Sequence, residues 1–152
     1  MPTDRAAPAV TPPDGLVDAL VQTSFTTMAV LTRIAAENDI SLTQGRVLGI
    51  LRDRRLRMSV LADHLGLERS TLSGLIDRAV ARGLVARVPN ADDGRAVDVV
   101  LTAEGVALTD RMYLVISEAL APLTQALGTA DRDRLQRLLE LLLGTRSVTT
   151  GG

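Results

Sequence analysis

The side chains best suited to chemistry fall in two short stretches. Arg69, Ser70, Thr71 and Ser73 span about one turn of helix, with Gly74 next and Arg78 one turn further on. A helix fits the DNA major groove, where hydroxyls and guanidiniums at this spacing can meet base edges, while an Arg one turn further on is placed for phosphate. Gly74 removes a side chain there and allows close backbone approach. The second stretch is Asp92-Asp93-Gly94-Arg95, a turn signal between two Val-rich segments. An Arg at the tip of such a hairpin can enter the electronegative minor groove. Taken singly, each of these is an ordinary exposed residue; it is the combination at this spacing that favours a nucleic-acid surface.

Composition removes most competing chemistries. The 152-residue chain has no Cys and no Trp, one Phe (Phe25), one Tyr (Tyr113) and one His (His64), and all 17 of its basic side chains are Arg. Without Cys there are no disulfides, thiolate zinc sites or thiol redox switches. Without Lys there is no Schiff base and no phosphate-binding P-loop lysine. Two aromatic side chains cannot build the stacking platforms of single-strand binders. His64 has no second His or Cys to share a metal with and reads as a surface or interface residue, so neither metal nor cofactor is expected. No nucleophile, base and orienting group form a legible set, and no enzyme is expected.

The net charge of −1 argues against nucleic acid until the chain is divided. Residues 46–95 carry ten Arg against six acids, and the rest carries seven against twelve. A basic middle between acidic flanks is the footprint of a DNA-contacting module on a non-contacting body. An Arg-rich solvated surface in a chain that avoids Lys has the same charge pattern, so charge alone leaves both readings open.

The elements that must position these residues follow from periodicity. Helical spacing runs from Asp14 to about Asn38, with Leu16, Leu20, Met28, Leu31 and Ala35 on one face. Ser41-Leu42-Thr43-Gln44 fits a capping box and opens a second helix to about Leu51. Residues 52–57 read as a charged connection. Helices over 59–65 and 68–82 are split by Gly66, a natural left-handed cap, in helix-turn-helix spacing. Strand patterns over 84–88 and 96–101 make a hairpin, Thr102 caps a long helix over about 103–127 that Pro122 should kink or break, and a last helix runs from Thr129 or Ala130 to Leu143. The apolar stripes on the first and last helices exceed what a small domain can cover, which predicts a homodimer. Residues 1–13, rich in Pro, and 145–152 read as a flexible arm and tail. No apolar run approaches the ~18 residues of a membrane span, and the N-terminus has no signal-like apolar core, so a cytoplasmic protein is expected.

LADHLGLERSTLSGLIDRAVARGLVAR (61–87) and NADDGRAVDVVLTAEG (90–105), with Asp93-Gly94-Arg95 in the wing and SLTQGRVLGIL (41–51) before them, resemble the MarR family of bacterial transcription regulators. The resemblance covers about residues 14–144. It implies a mainly α (α+β) winged helix-turn-helix fold, a single domain with its DNA-binding core at about 41–101. It also implies dimerisation helices at about 14–38 and 103–144, a palindromic double-stranded operator and relief by a small ligand. By motif position it makes Arg69, Ser70, Thr71 and Ser73 base or phosphate contacts and Arg95 the wing contact. Three residues depart from the family pattern: Gly45 replaces a bulky apolar residue, Arg57 a Thr-type cap, and Gly74 leaves a gap in the recognition helix. With no thiol, a signal must arrive by non-covalent binding. The expected place is the apolar junction near Phe25, Met28, Gly45 and Met112, with a small aromatic or phenolic ligand. The leading reading is a ligand-responsive repressor. A ligand-insensitive or activating regulator of the same fold is the alternative, and a helical interaction protein with an idle wing is a third.

Overall fold

The structure, a computed structural model, describes residues 14–144; the arm at 1–13 and the tail at 145–152 lie outside the described residues. Helix α1 (Gly15–Glu37) starts where Asp14 accepts a hydrogen bond from the Leu16 amide. It ends at a tight turn in which Asp39 takes a left-handed conformation, φ 54°. Helix α2 (Leu42–Leu51) opens on the complete capping box: Ser41 accepts from the Gln44 amide and the Gln44 side chain accepts from the Ser41 amide. Such a cap stabilises a helix by about 1 kcal/mol. Helix α3 (Met58–Leu65) follows, with Arg57 at its N-cap position giving no side-chain bond to the helix's first amides, and Gly66 closes it at φ 64°. That left-handed cap turns the chain into α4 (Arg69–Ala81).

Strands β2 (Val85–Pro89) and β3 (Val97–Leu101) form the expected hairpin. The connection at 52–57 corrects the sequence reading, because its last two residues are a strand, β1 (Leu56–Arg57). The sheet is therefore three-stranded and antiparallel, in the order β1-β3-β2, with Arg57 and Val88 both opposite Asp98. Two residues carry no periodicity; they become a strand only because β3 offers a free edge. Helix α5 (Ala103–Thr124) is capped by Thr102, continues two residues past Pro122 and stops before the expected Leu127; α6 (Thr129–Leu142) completes the chain. Pro122 withholds the amide that would bond the Glu118 carbonyl, and the helix ends two residues later.

Ile34, Leu48, Leu51, Leu61, Leu72, Ile76 and Val99 are fully buried and join α1, α2, α3, α4 and β3 around one core. The apolar stripes of the outer helices are left largely uncovered by the chain itself, in line with the excess read from the sequence. Leu16, Leu20, Phe25 and Met28 of α1 and Leu135, Leu138, Leu139 and Leu142 of α6 are exposed on the single chain. Helix α6 buries no residue at all. These faces point away from the chain's own core.

Candidate nucleic-acid interface

Helix α4 presents two faces of opposite character. Leu72, Leu75, Ile76 and Ala79 are buried against the core, which fixes the helix about its own axis. Arg69, Ser70, Thr71 and Arg78 are thereby exposed, and Ser73 and Gly74 are half-buried at the edge of the same face. The Arg78 guanidinium lies back along the helix over Gly74, where a Cβ would stand 3.6 Å from its Nη1, an ordinary contact. No ion pair among the described residues involves Arg69, Arg78 or Arg95. Their charges are available to an external anion.

The hairpin stands beside this face. Arg95 is exposed at its tip, where its amide donates to Asp93 Oδ1 at 3.1 Å. Between wing base and helix lies an open cleft of about 230 Å³ bounded by Arg57, Ser59, Arg69 and Val97. Arg87 of β2 pairs with Asp77 of α4 at 2.7 Å and ties the two elements together. His64 is exposed on α3, with Nδ1 3.3 Å from the Val60 carbonyl.

Several working residues escaped the sequence reading. Asp98 is a buried acid, 4% exposed, on an otherwise Val-rich strand. Its Oδ2 accepts from Arg55 Nε at 2.7 Å and its Oδ1 from Asn90 Nδ2 at 2.9 Å. Arg55 also donates to the Pro89 carbonyl at 2.6 Å, and Arg57 to Asn90 Oδ1 at 3.2 Å. The bonds from Asn90 and then Arg55 hold the Asp98 carboxyl below its ordinary range, against the opposing effect of burial. An acid inside VDVVL was the visible signal. At the other end of α4, Arg82 donates to the carbonyls of Asp39 and Asn38.

A second cleft, of about 390 Å³, opens between α1, α2 and α5. Met28, Gly45 and Met112 line it together with Leu31, Arg46 and Ile116. Phe25 does not join them: it stands outside this lining, 68% exposed on α1. A neighbouring cleft of about 290 Å³ shares Gly45, Met112 and Ile116 and is edged by Arg52 and Tyr113. Arg52 stacks over the Tyr113 ring at 4.8 Å and pairs with Asp110 at 3.0 Å.

Residues 38–96 match the family model described as MarR family. The chain is 32% identical over 107 residues to the multiple antibiotic resistance protein MarR of Escherichia coli (strain K12), an alignment covering 69% of this chain and 74% of that protein. The chain belongs to the MarR family. A second relative of this MarR-family protein is the homoprotocatechuate degradative operon repressor of Escherichia coli, 29% identical over 128 residues, covering 84% of this chain and 86% of the relative. Among solved structures, a point mutant of E. coli MarR complexed with operator DNA matches with a TM-score of 0.66 at 26% identity, over 84% of this chain and 93% of that one. NadR in complex with 4-hydroxyphenylacetate matches with a TM-score of 0.72 at 26% identity, over 93% and 97%. The winged helix-turn-helix architecture expected from the sequence is thus the architecture of this MarR-family chain and of its structural relatives. No helix among the described residues is long and apolar enough to cross a membrane.

Proposed function

We propose that this protein is a DNA-binding transcriptional repressor that occupies a palindromic operator as a homodimer, is not an enzyme and works in the cytoplasm. The observation that carries the reading is the pairing of two unneutralised surfaces, the polar face of α4 and Arg95 at the wing tip. Arg69, Ser70, Thr71 and Ser73 read base edges or nearby phosphates, Arg78 holds phosphate, Gly74 lets the backbone come close, and Arg95 enters the minor groove. The operator complex known for E. coli MarR supports the same use of the fold here. The unpartnered apolar faces of α1, α5 and α6 supply the dimer contact, and residues 41–101 the DNA-binding core. Two-fold symmetry then sets the recognition helices about 34–36 Å apart, one turn of duplex.

The cleft lined by Met28, Gly45 and Met112, with Arg46 at its edge, suits a small aromatic or phenolic anion, a reading that the 4-hydroxyphenylacetate complex of NadR supports. Such a ligand shifts operator affinity only if it binds the two dimer shapes unequally. Operator binding is tested by fluorescence anisotropy with a duplex from the region upstream of the protein's own gene. Affinity is expected to fall steeply with salt and to drop with Arg95→Ala, while Ser70→Ala and Thr71→Ala change base preference. Salt-independent or absent binding overturns the proposal. Titrating aromatic acids against Tm tests the ligand reading, because binding to the native state raises it.

A further inference from the structure

One polar network crosses the entire wing. It begins at Arg55, just before β1, and passes to the buried Oδ2 of Asp98 in the central strand β3. From Oδ1 of Asp98 it continues to the Asn90 amide at the end of β2. The carbonyl oxygen of the Asn90 side chain then accepts from the amides of Asp92 and Asp93, each at 3.0 Å, which shapes the turn. Asp93 in turn accepts from the Arg95 amide at 3.1 Å. Arg57 braces the same turn, bonding Asn90 and lying 3.9 Å from Asp93. The three strands and the tip are thus joined through side chains, in a hairpin whose turn residues, 91–95, are all exposed.

A buried acid on a β-strand is costly unless it is paired and hydrogen-bonded. Both oxygens of Asp98 are satisfied, and no buried side-chain polar atom among the described residues lacks a partner. A Val here would serve the sheet as well, since Val97, Val99 and Val100 surround it in sequence. What Val cannot do is hold Asn90, and through it the turn that carries Arg95.

We infer that Asp98 is a positioning residue for DNA binding, which acts through Asn90 and the Asp92–Asp93 turn to aim Arg95 into the minor groove. The inference rests on the DNA-binding reading above and adds a residue that touches no DNA. Pre-ordering the tip removes the entropy cost of fixing it on the duplex, so the network contributes affinity without a contact of its own.

The test is a double-mutant cycle on the full-length dimer, with affinity for the upstream duplex measured beside Tm. Arg95→Ala is measured first, and its loss of affinity establishes that the wing is used. Asp98→Val, which suits the strand but removes both acceptor oxygens and with them the hold on Asn90, is expected to weaken binding by roughly tenfold in the parent. In the Arg95→Ala background it is expected to weaken binding by less than about twofold, because there is no longer a side chain to aim. Equal losses in both backgrounds overturn the inference and leave the DNA-binding reading standing. Full affinity in Arg95→Ala overturns the wing reading and the inference together. Should Asp98→Val unfold the chain, Asn90→Ala keeps the Arg55–Asp98 pair and breaks the same path at a half-buried position. The same loss, absent with Arg95→Ala, is expected of it, and an additive loss overturns the inference.

Discussion

Arg82, at the C-terminal end of α4, donates a 2.6 Å hydrogen bond to the carbonyl of Asp39, the left-handed residue that joins α1 to α2. A second bond, to the Asn38 carbonyl at 3.1 Å, makes the contact a two-pronged clamp. The DNA-facing helix is therefore fastened to the turn at the end of the long N-terminal helix. Arg82→Ala is expected to lower stability by about 1 kcal/mol, the net worth of exposed hydrogen bonds made by a charged donor. Urea denaturation checks this, and an unchanged midpoint contradicts it. Arg82→Lys is expected to recover only part of the loss, since a single ammonium does not reproduce the planar fork.

Gly45 occupies the interior of α2 with room for a methyl group. A Cβ there would meet Ile40 Cδ1 at 3.7 Å and Met112 Cε at 3.9 Å, both ordinary contacts. Gly45→Ala should accordingly stabilise the protein by about 0.5–1 kcal/mol through backbone entropy. Gly45→Leu projects into the cleft that Gly45 shares with Met28 and Met112 and is expected to abolish any Tm shift by aromatic acids. A retained shift would remove the ligand from this cleft.

The pH dependence of Asp98 follows from its lowered pKa. A folded-state value below the unfolded one contributes stability that is complete above the unfolded value and is lost as pH falls through the folded value. Asp98→Asn is therefore expected to lower Tm at neutral pH, with the gap to the parent closing only once pH drops below the ordinary 3.8. Differential scanning calorimetry from neutral to strongly acid pH measures the gap; a constant gap contradicts the assignment.

Leu138 of α6 is 50% exposed on the single chain, and its helix buries nothing. Leu138→Asp is expected to convert a dimer into a monomer in sedimentation velocity while leaving the helical content of the winged core unchanged. A dimer that survives this substitution would place the interface elsewhere.

Gly105 admits no side chain. A Cβ would overlap the carbonyl oxygen of Leu84, a backbone atom that cannot swing aside. Gly105→Ala is expected to cost about 3 kcal/mol, the upper range for overpacking, and thermal melting gives the number directly.

Much of this architecture was legible because it is encoded locally. The Ser41 capping box, the Gly66 cap, the Leu72–Leu75–Ile76 stripe and the Thr102 cap each depend on residues within a turn or two of one another. The misses were non-local. Leu56 and Arg57 become a strand only beside β3, and Arg55 finds Asp98 across 43 residues. The Arg82 clamp likewise bridges 43 residues. The expected ligand junction also put Phe25 beside Met28, but only the depth of α2 and α5 decides which of the two lines the cleft.

The joint at Gly105 has a mechanical consequence. There the first turn of α5 lies hard against Leu84, while Thr102 donates from its side chain to the Gly83 carbonyl at 2.5 Å and from its amide to the Leu84 carbonyl at 3.1 Å. With no slack at that joint, α5 acts as a stiff lever welded to the wing. Its 22 residues give an arm of about 33 Å. A swing of about five degrees at the far end therefore carries the wing roughly 3 Å, close to the rise of a single base pair.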